Sequence, residues 1–117
     1  GIVGETYCVG GEVQPTNLEV VQAICGILEE ITPMPGQKYT DLITFVSDRP
    51  GHDFRYAIDI SKIRTELGWY PKTSLYEGLR KTISWYIENP EWVGLVTGKT
   101  DYADWIKINY SNQRMAK

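Results

Sequence analysis

The chain has 117 residues, enough for one domain with one modest core. It is 42% hydrophobic and 23% charged, and its formal net charge is −3. That balance argues against a general nucleic-acid binder, and no apolar run approaches the roughly 20 residues that cross a membrane, so neither partner is expected.

The chain opens Gly1-Ile2-Val3-Gly4, with no initiator Met and no signal-peptide pattern, and reads as the interior of a longer protein. Thr6–Val9 predicts a short strand that ends at the pair Gly10 and Gly11. Thr16 followed by Glu19 is a capping box. The helix it opens carries Leu18, Val20, Val21, Ile24, Cys25, Ile27, Leu28 and Ile31 at three-and-four spacing, one buried stripe. Pro33, Pro35 and Gly36 stop that helix.

Residues 42–47 are β-branched and aromatic and predict a second strand. A polar turn follows from Asp48 to Asp53, then a short extended piece, Tyr56–Ile58. Asp59 caps a helix whose core face is Ile60, Ile63 and Leu67, with Gly68 suited to its C-terminus. Ser74 and Glu77 form a second capping box. Its helix shows Leu75, Leu79, Ile83, Tyr86 and Ile87 on one face and ends at Asn89-Pro90. Tyr102, Trp105, Ile106 and Asn109 predict a last short helix.

The expected fold class is therefore α/β: a small, helix-rich α+β lobe with two or three short strands among four helices. That many helices cannot bury both sides of so small a sheet in an independent doubly wound fold. A sheet face or edge is expected to need another domain. Trp69, Trp85, Trp92 and Trp105 are expected to pack in the core. Cys8 and Cys25 are expected to be reduced and buried, in a cytoplasmic protein. With one histidine and no paired cysteine spacing, no metal site is expected.

Motifs for chemistry are sparse. The sequence contains no glycine-rich dinucleotide fingerprint, no phosphate loop, no nucleophile elbow and no Tyr-x-x-x-Lys pair. No catalytic residue is therefore assigned. One dense polar stretch remains, Asp48-Arg49-Pro50-Gly51-His52-Asp53-Phe54-Arg55. Its Pro-Gly turn lets backbone approach a ligand closely, and arginine matches phosphate oxygens in a two-pronged geometry. The same stretch also fits a solvated loop whose carboxylates pair with its own arginines. Asn17, at a helix start, fits either an anion contact or a capping role.

Several motifs occur in a telling order: Gly4-Glu5-Thr6-Tyr7-Cys8-Val9-Gly10-Gly11, Asn17–Val21, Asp48–Asp53 and Arg55–Asp59. Lys62-Ile63, Glu66–Trp69, Gly78–Ile83 and Trp85-Tyr86 complete the series. Over nearly its whole length the chain resembles the C-terminal third of the dTDP-glucose 4,6-dehydratases, which are extended short-chain dehydrogenase/reductases. The resemblance implies a lyase that uses bound NAD to oxidise the glucose C4, eliminates water across C5–C6 and returns the hydride to C6, feeding deoxysugar routes such as rhamnose synthesis. It also implies a homodimeric parent whose upstream Rossmann domain carries NAD and the catalytic groups, and that domain is absent from this chain. Residues 1–117 are then a single nucleotide-sugar-binding domain, with no cofactor and no turnover of its own. Carried over by motif, Asn17, Asp48, Arg49, Pro50, Gly51 and His52 contact the dTDP moiety of the substrate. Cys8, the run Glu12–Pro15, Phe54 and a long Pro33–Lys38 loop depart from the family pattern and bear on base and sugar preference. Two alternatives stay open: a non-catalytic nucleotide-sugar-binding or assembly module, and the same lobe of a related sugar-nucleotide epimerase or dehydratase.

Overall fold

A computed structural model describes residues 1–46, 51, 56–98 and 104. Within them the first helix, α1, spans Asn17–Ile31. A 3₁₀ turn follows at Tyr39–Leu42, then α2 at Ser61–Leu67, α3 at Leu75–Glu88 and α4 at Pro90–Gly98.

Both predicted capping boxes form. The Glu19 amide donates to Thr16 Oγ1 at 3.2 Å, while the Thr16 amide donates to Glu19 Oε2 at 2.7 Å. Ser74 and Glu77 repeat the exchange at 3.3 and 3.0 Å. Gly68 closes α2 at φ 62°, a left-handed position that costs other residues strain. Asp59 acts one residue earlier than expected. Ile60 is the capping position, and Asp59 Oδ1 reaches past it to accept from the Ser61 amide at 2.8 Å.

The expected strands are corrected by the structure, because none is present among the described residues. Thr6–Val9 and Tyr56–Ile58 have no regular structure, and Leu42 ends the 3₁₀ turn. Strand preference acts only where a neighbouring strand supplies the ladder. Here the Lys38 amide donates to Asp41 Oδ2 at 3.0 Å and winds the start of the second candidate strand into the 3₁₀ turn. The first is held by side chains of α2.

The packing divides into two parts. In the first, α1 packs on the 3₁₀ turn and on α3, and α4 packs on α3. Tyr39 donates its amide to Glu29 Oε1 at 2.5 Å and its hydroxyl to the Thr32 carbonyl at 2.8 Å. Arg80 of α3 pairs with Glu30 of α1 and stacks over the Tyr76 ring at 5.5 Å. Cys25 and Ile27 are this part's buried residues. In the second, α2 lies against the N-terminal segment, with Ile60 and Ile63 buried. Lys62 pairs with Glu5 at 2.5 Å, Tyr7 donates to Glu66 at 2.8 Å, and Arg64 pairs with Glu12.

Several expected core positions are exposed. Leu18, Val21 and Ile87 each keep 40% of their surface, Leu67 and Leu75 keep 42%, and α3 buries no residue fully. Trp85 and Trp92 are not core residues either. They meet edge-to-face at 5.0 Å, with Tyr86 completing an exposed aromatic cluster where α3 turns into α4. Periodicity marks which face is apolar; it does not supply the neighbour that covers it. Cys8 is exposed, against expectation, while Cys25 is buried. Helix α3 ends at Asn89-Pro90 as expected, but Pro90–Gly98 then forms a helix that the sequence did not predict. Proline at a first helical position sacrifices no hydrogen bond, so it can open a helix as well as end one. The predicted helix around Tyr102, Trp105, Ile106 and Asn109 lies outside the described residues, as does Trp105.

The capping and pairing carboxylates set the acid response. Backbone and hydroxyl donors from Thr16 and from Ser74 hold Glu19 and Glu77 below the ordinary glutamate range. Arg80 does the same for Glu30, and Ser61 holds Asp59 below its ordinary value. Groups depressed in the folded state stabilise it above their unfolded pKa and lose that contribution as pH falls through the folded value. The melting temperature is therefore expected to be flat from about pH 7 to about pH 5 and to fall below about pH 4. A thermal melt series across that range checks it.

Candidate functional site

The polar loop singled out in the sequence runs between two anchored ends. At its entry, Tyr39 ties the 3₁₀ turn to α1 through Glu29 and Thr32, and the chain continues extended through Ile43. At its exit, Asp59 fixes the start of α2 and Ile60 is buried at 5% exposure. One residue before Asp59, Ile58 sits directly against Gly10. A Cβ built on Gly10 lies 3.1 Å from the Cβ of Ile58.

Of the six residues assigned to substrate, two are described. Asn17 is the first residue of α1 and is exposed. The cap itself is made by Thr16 and Glu19, which leaves Asn17 out of the capping role that competed with ligand contact. Gly51 is exposed in a turn at φ 72°, the left-handed conformation expected after Pro50. Asp48, Arg49, Pro50 and His52 lie outside the described residues.

The start of α1 already carries a negative charge. A bare helix start attracts anions through its free amides and its dipole. Here the Glu19 carboxylate already occupies that start, and its lowered pKa keeps it charged. An anion approaching Asn17 meets this charge.

Sequence reasoning missed a second feature. A half-open cleft of about 750 Å³ lies between the loop Val9–Val13 and the segment Trp69–Leu75, with Pro15 and Val20 on its floor. It adjoins an apolar groove between Pro15, Ala23, Leu75 and Leu79. Also unforeseen was the set of ties around Tyr7, whose hydrogen bond to Glu66 raises its pKa and whose ring lies 5.0 Å from the Lys62 ammonium. Among the described residues no cluster of His, Cys, Asp or Glu has metal-binding geometry, and no helix is long and apolar enough to cross a membrane.

A family model described as GDP-mannose 4,6 dehydratase matches residues 2–82. The chain is 54% identical over 95 residues to a dTDP-glucose 4,6-dehydratase of Neisseria meningitidis serogroup B, an alignment covering 79% of this chain and 27% of that protein. It is 47% identical over 114 residues to a dTDP-glucose 4,6-dehydratase of Shigella flexneri, covering 97% of this chain and 31% of that protein. A third relative, dTDP-glucose 4,6-dehydratase 1 of Escherichia coli K12, is 46% identical over the same shares. The chain thus spans under a third of the length of these curated relatives. It belongs to the GDP-mannose 4,6 dehydratase family.

Proposed function

We propose that this member of the GDP-mannose 4,6 dehydratase family is the nucleotide-sugar-holding part of a dTDP-glucose 4,6-dehydratase. The whole protein is a lyase that converts dTDP-glucose to dTDP-4-keto-6-deoxyglucose in deoxysugar synthesis, in the cytoplasm and as a homodimer. The observation that carries this reading is the 46–54% identity to proteins of that name, over 79–97% of this chain. In it, Asn17 and the stretch Asp48, Arg49, Pro50, Gly51 and His52 hold the dTDP moiety. The anchored loop ends and the release of Asn17 from capping support that role.

NAD would supply hydride chemistry at the glucose C4 and C6 when bound to the parent enzyme. The described residues do not fit it, because none forms the strand, glycine-rich turn and helix that seat a pyrophosphate. In this reading a Rossmann part of the same protein carries the cofactor and the proton-transferring groups. The contribution of this chain is to orient the nucleotide-sugar and to keep its diphosphate charge matched. The exposed side chains on α3 and α4 are consistent with surface that other parts of the protein cover.

Calorimetric titration of the chain with dTDP, dTDP-glucose and GDP tests the reading. We expect saturable binding of both dTDP ligands, weaker binding of GDP, and about tenfold weaker dTDP binding in Arg49→Ala, the effect of losing one charge-assisted contact. Absence of dTDP binding, or binding untouched by Arg49→Ala, overturns it. Preference for GDP would instead point to the same lobe of a GDP-sugar dehydratase.

A further inference from the structure

At the corner where α3 passes into α4, an open cavity of about 450 Å³ is lined by Glu88, Asn89, Pro90, Glu91, Trp92 and Leu95. Trp92 joins this cavity to the aromatic cluster, lying 5.0 Å from Trp85 and 6.2 Å from Tyr86. The three rings keep 42–50% of their surface exposed. An indole face carries negative π charge and attracts cations. Negative charge is also supplied by the two carboxylates. Every other described glutamate accepts a hydrogen bond or an ion pair. Glu88 and Glu91 are exposed, and neither has such a partner among the described residues. Glu91 has a local reason for its place, since it lies in the first turn of α4, where the helix dipole favours an acid. Glu88 has none. It is the last residue of α3, the end where the dipole disfavours negative charge, and no basic residue stands in that last turn. Asn89 does not relieve it, because its Nδ2 donates to the Trp85 carbonyl at 2.7 Å.

We propose that the α3–α4 corner is a docking site for a basic peptide segment of a partner, which seats an arginine on Trp92 and matches its charge with Glu88 and Glu91. Charge complementarity selects this occupant. A second copy of the chain would bring like carboxylates together, and a purely apolar surface would bury them unpaired, at a cost that apolar contact does not offset. Arginine fits better than lysine, because its planar guanidinium stacks on an indole and forks onto a carboxylate. The inference does not rest on the proposed function, and dTDP binding plays no part in it.

The test titrates the chain with a capped glycine-serine peptide that carries two arginines, and with the same peptide carrying neutral citrulline instead. The indole N–H chemical shifts of Trp85 and Trp92 are the readout. Saturable shifts are expected with the arginine peptide and none with the citrulline peptide. Glu88→Gln is expected to weaken binding about threefold, the scale of one exposed ion pair. Its melting temperature should not fall, because the substitution removes a charge that the helix end disfavours; a merely structural residue would lower it. Trp92→Leu is expected to weaken binding about threefold as well, the scale of an exposed cation–π contact. If that variant disturbs the corner, Glu88→Gln combined with Glu91→Gln carries the test, with about tenfold weaker binding expected if the two charges add. Silent indoles with the arginine peptide, an equal response to citrulline, or affinity untouched by the double substitution overturns the inference. Indole shifts that follow protein concentration without peptide would make a second copy the occupant and overturn it too.

Discussion

Ile27→Ala is expected to destabilise the α1–α3 packing by about 3 kcal/mol, the middle of the range for truncating a buried isoleucine. Ile27 is the one described residue with no exposed surface. It lies on α1, the helix that packs on both the 3₁₀ turn and α3. Cys25, 7% exposed, is the other buried residue of that helix. Chemical denaturation followed by helix circular dichroism gives the difference. A change below 1 kcal/mol would mean that the surrounding side chains collapse into the gap and that this is not the centre of the packing.

Ile63→Ala is expected to cost a similar amount, about 2–4 kcal/mol, but in a different part of the molecule. Ile63 and Ile60 are the buried residues of the unit formed by α2 and the N-terminal segment. The ties at Lys62, Arg64 and Glu66 are exposed, and exposed ion pairs contribute little on their own. The apolar pair therefore carries most of this unit's stability. Amide hydrogen exchange should show lost protection in α2, with α1 and α3 unchanged. Equal loss across all helices would show that the two parts unfold as one cooperative body.

The sequence was informative where structure depends on neighbours along the chain. The capping boxes at Thr16 and Ser74, the left-handed Gly68 and the start of α1 follow from residues within a few positions of each other, and all of them form. It misled where structure depends on distant partners. Leu42–Val46 has the composition of a strand, yet with no ladder beside it the local hydrogen bond from Lys38 to Asp41 decides. Trp85 and Trp92 have the apolar bulk of core residues, yet they stack on each other half-exposed, with no described element covering them. Pro90 could end one helix or begin another, and nothing local to Asn89-Pro90 separates the two.

The candidate site divides in the same way. The turn glycine at position 51 was legible, since a Pro-Gly pair between polar residues calls for a positive φ there. So was the ambiguity of Asn17, from which the Thr16 cap removes the capping role. The cleft between Val9–Val13 and Trp69–Leu75 was not legible, because it joins segments about 60 positions apart whose proximity follows only from the fold. The seat of Ile58 on Gly10 was hidden for the same reason.

The most direct test of the proposed nucleotide-sugar site is amide chemical-shift mapping during titration with dTDP. Saturable shifts at Asn17 and from Asp48 to His52, saturating only at about tenfold higher dTDP in Arg49→Ala, are the predicted result. Shifts confined to Gly10–Val13 and Trp69–Leu75, with the polar loop silent, would contradict it and move the site to the cleft.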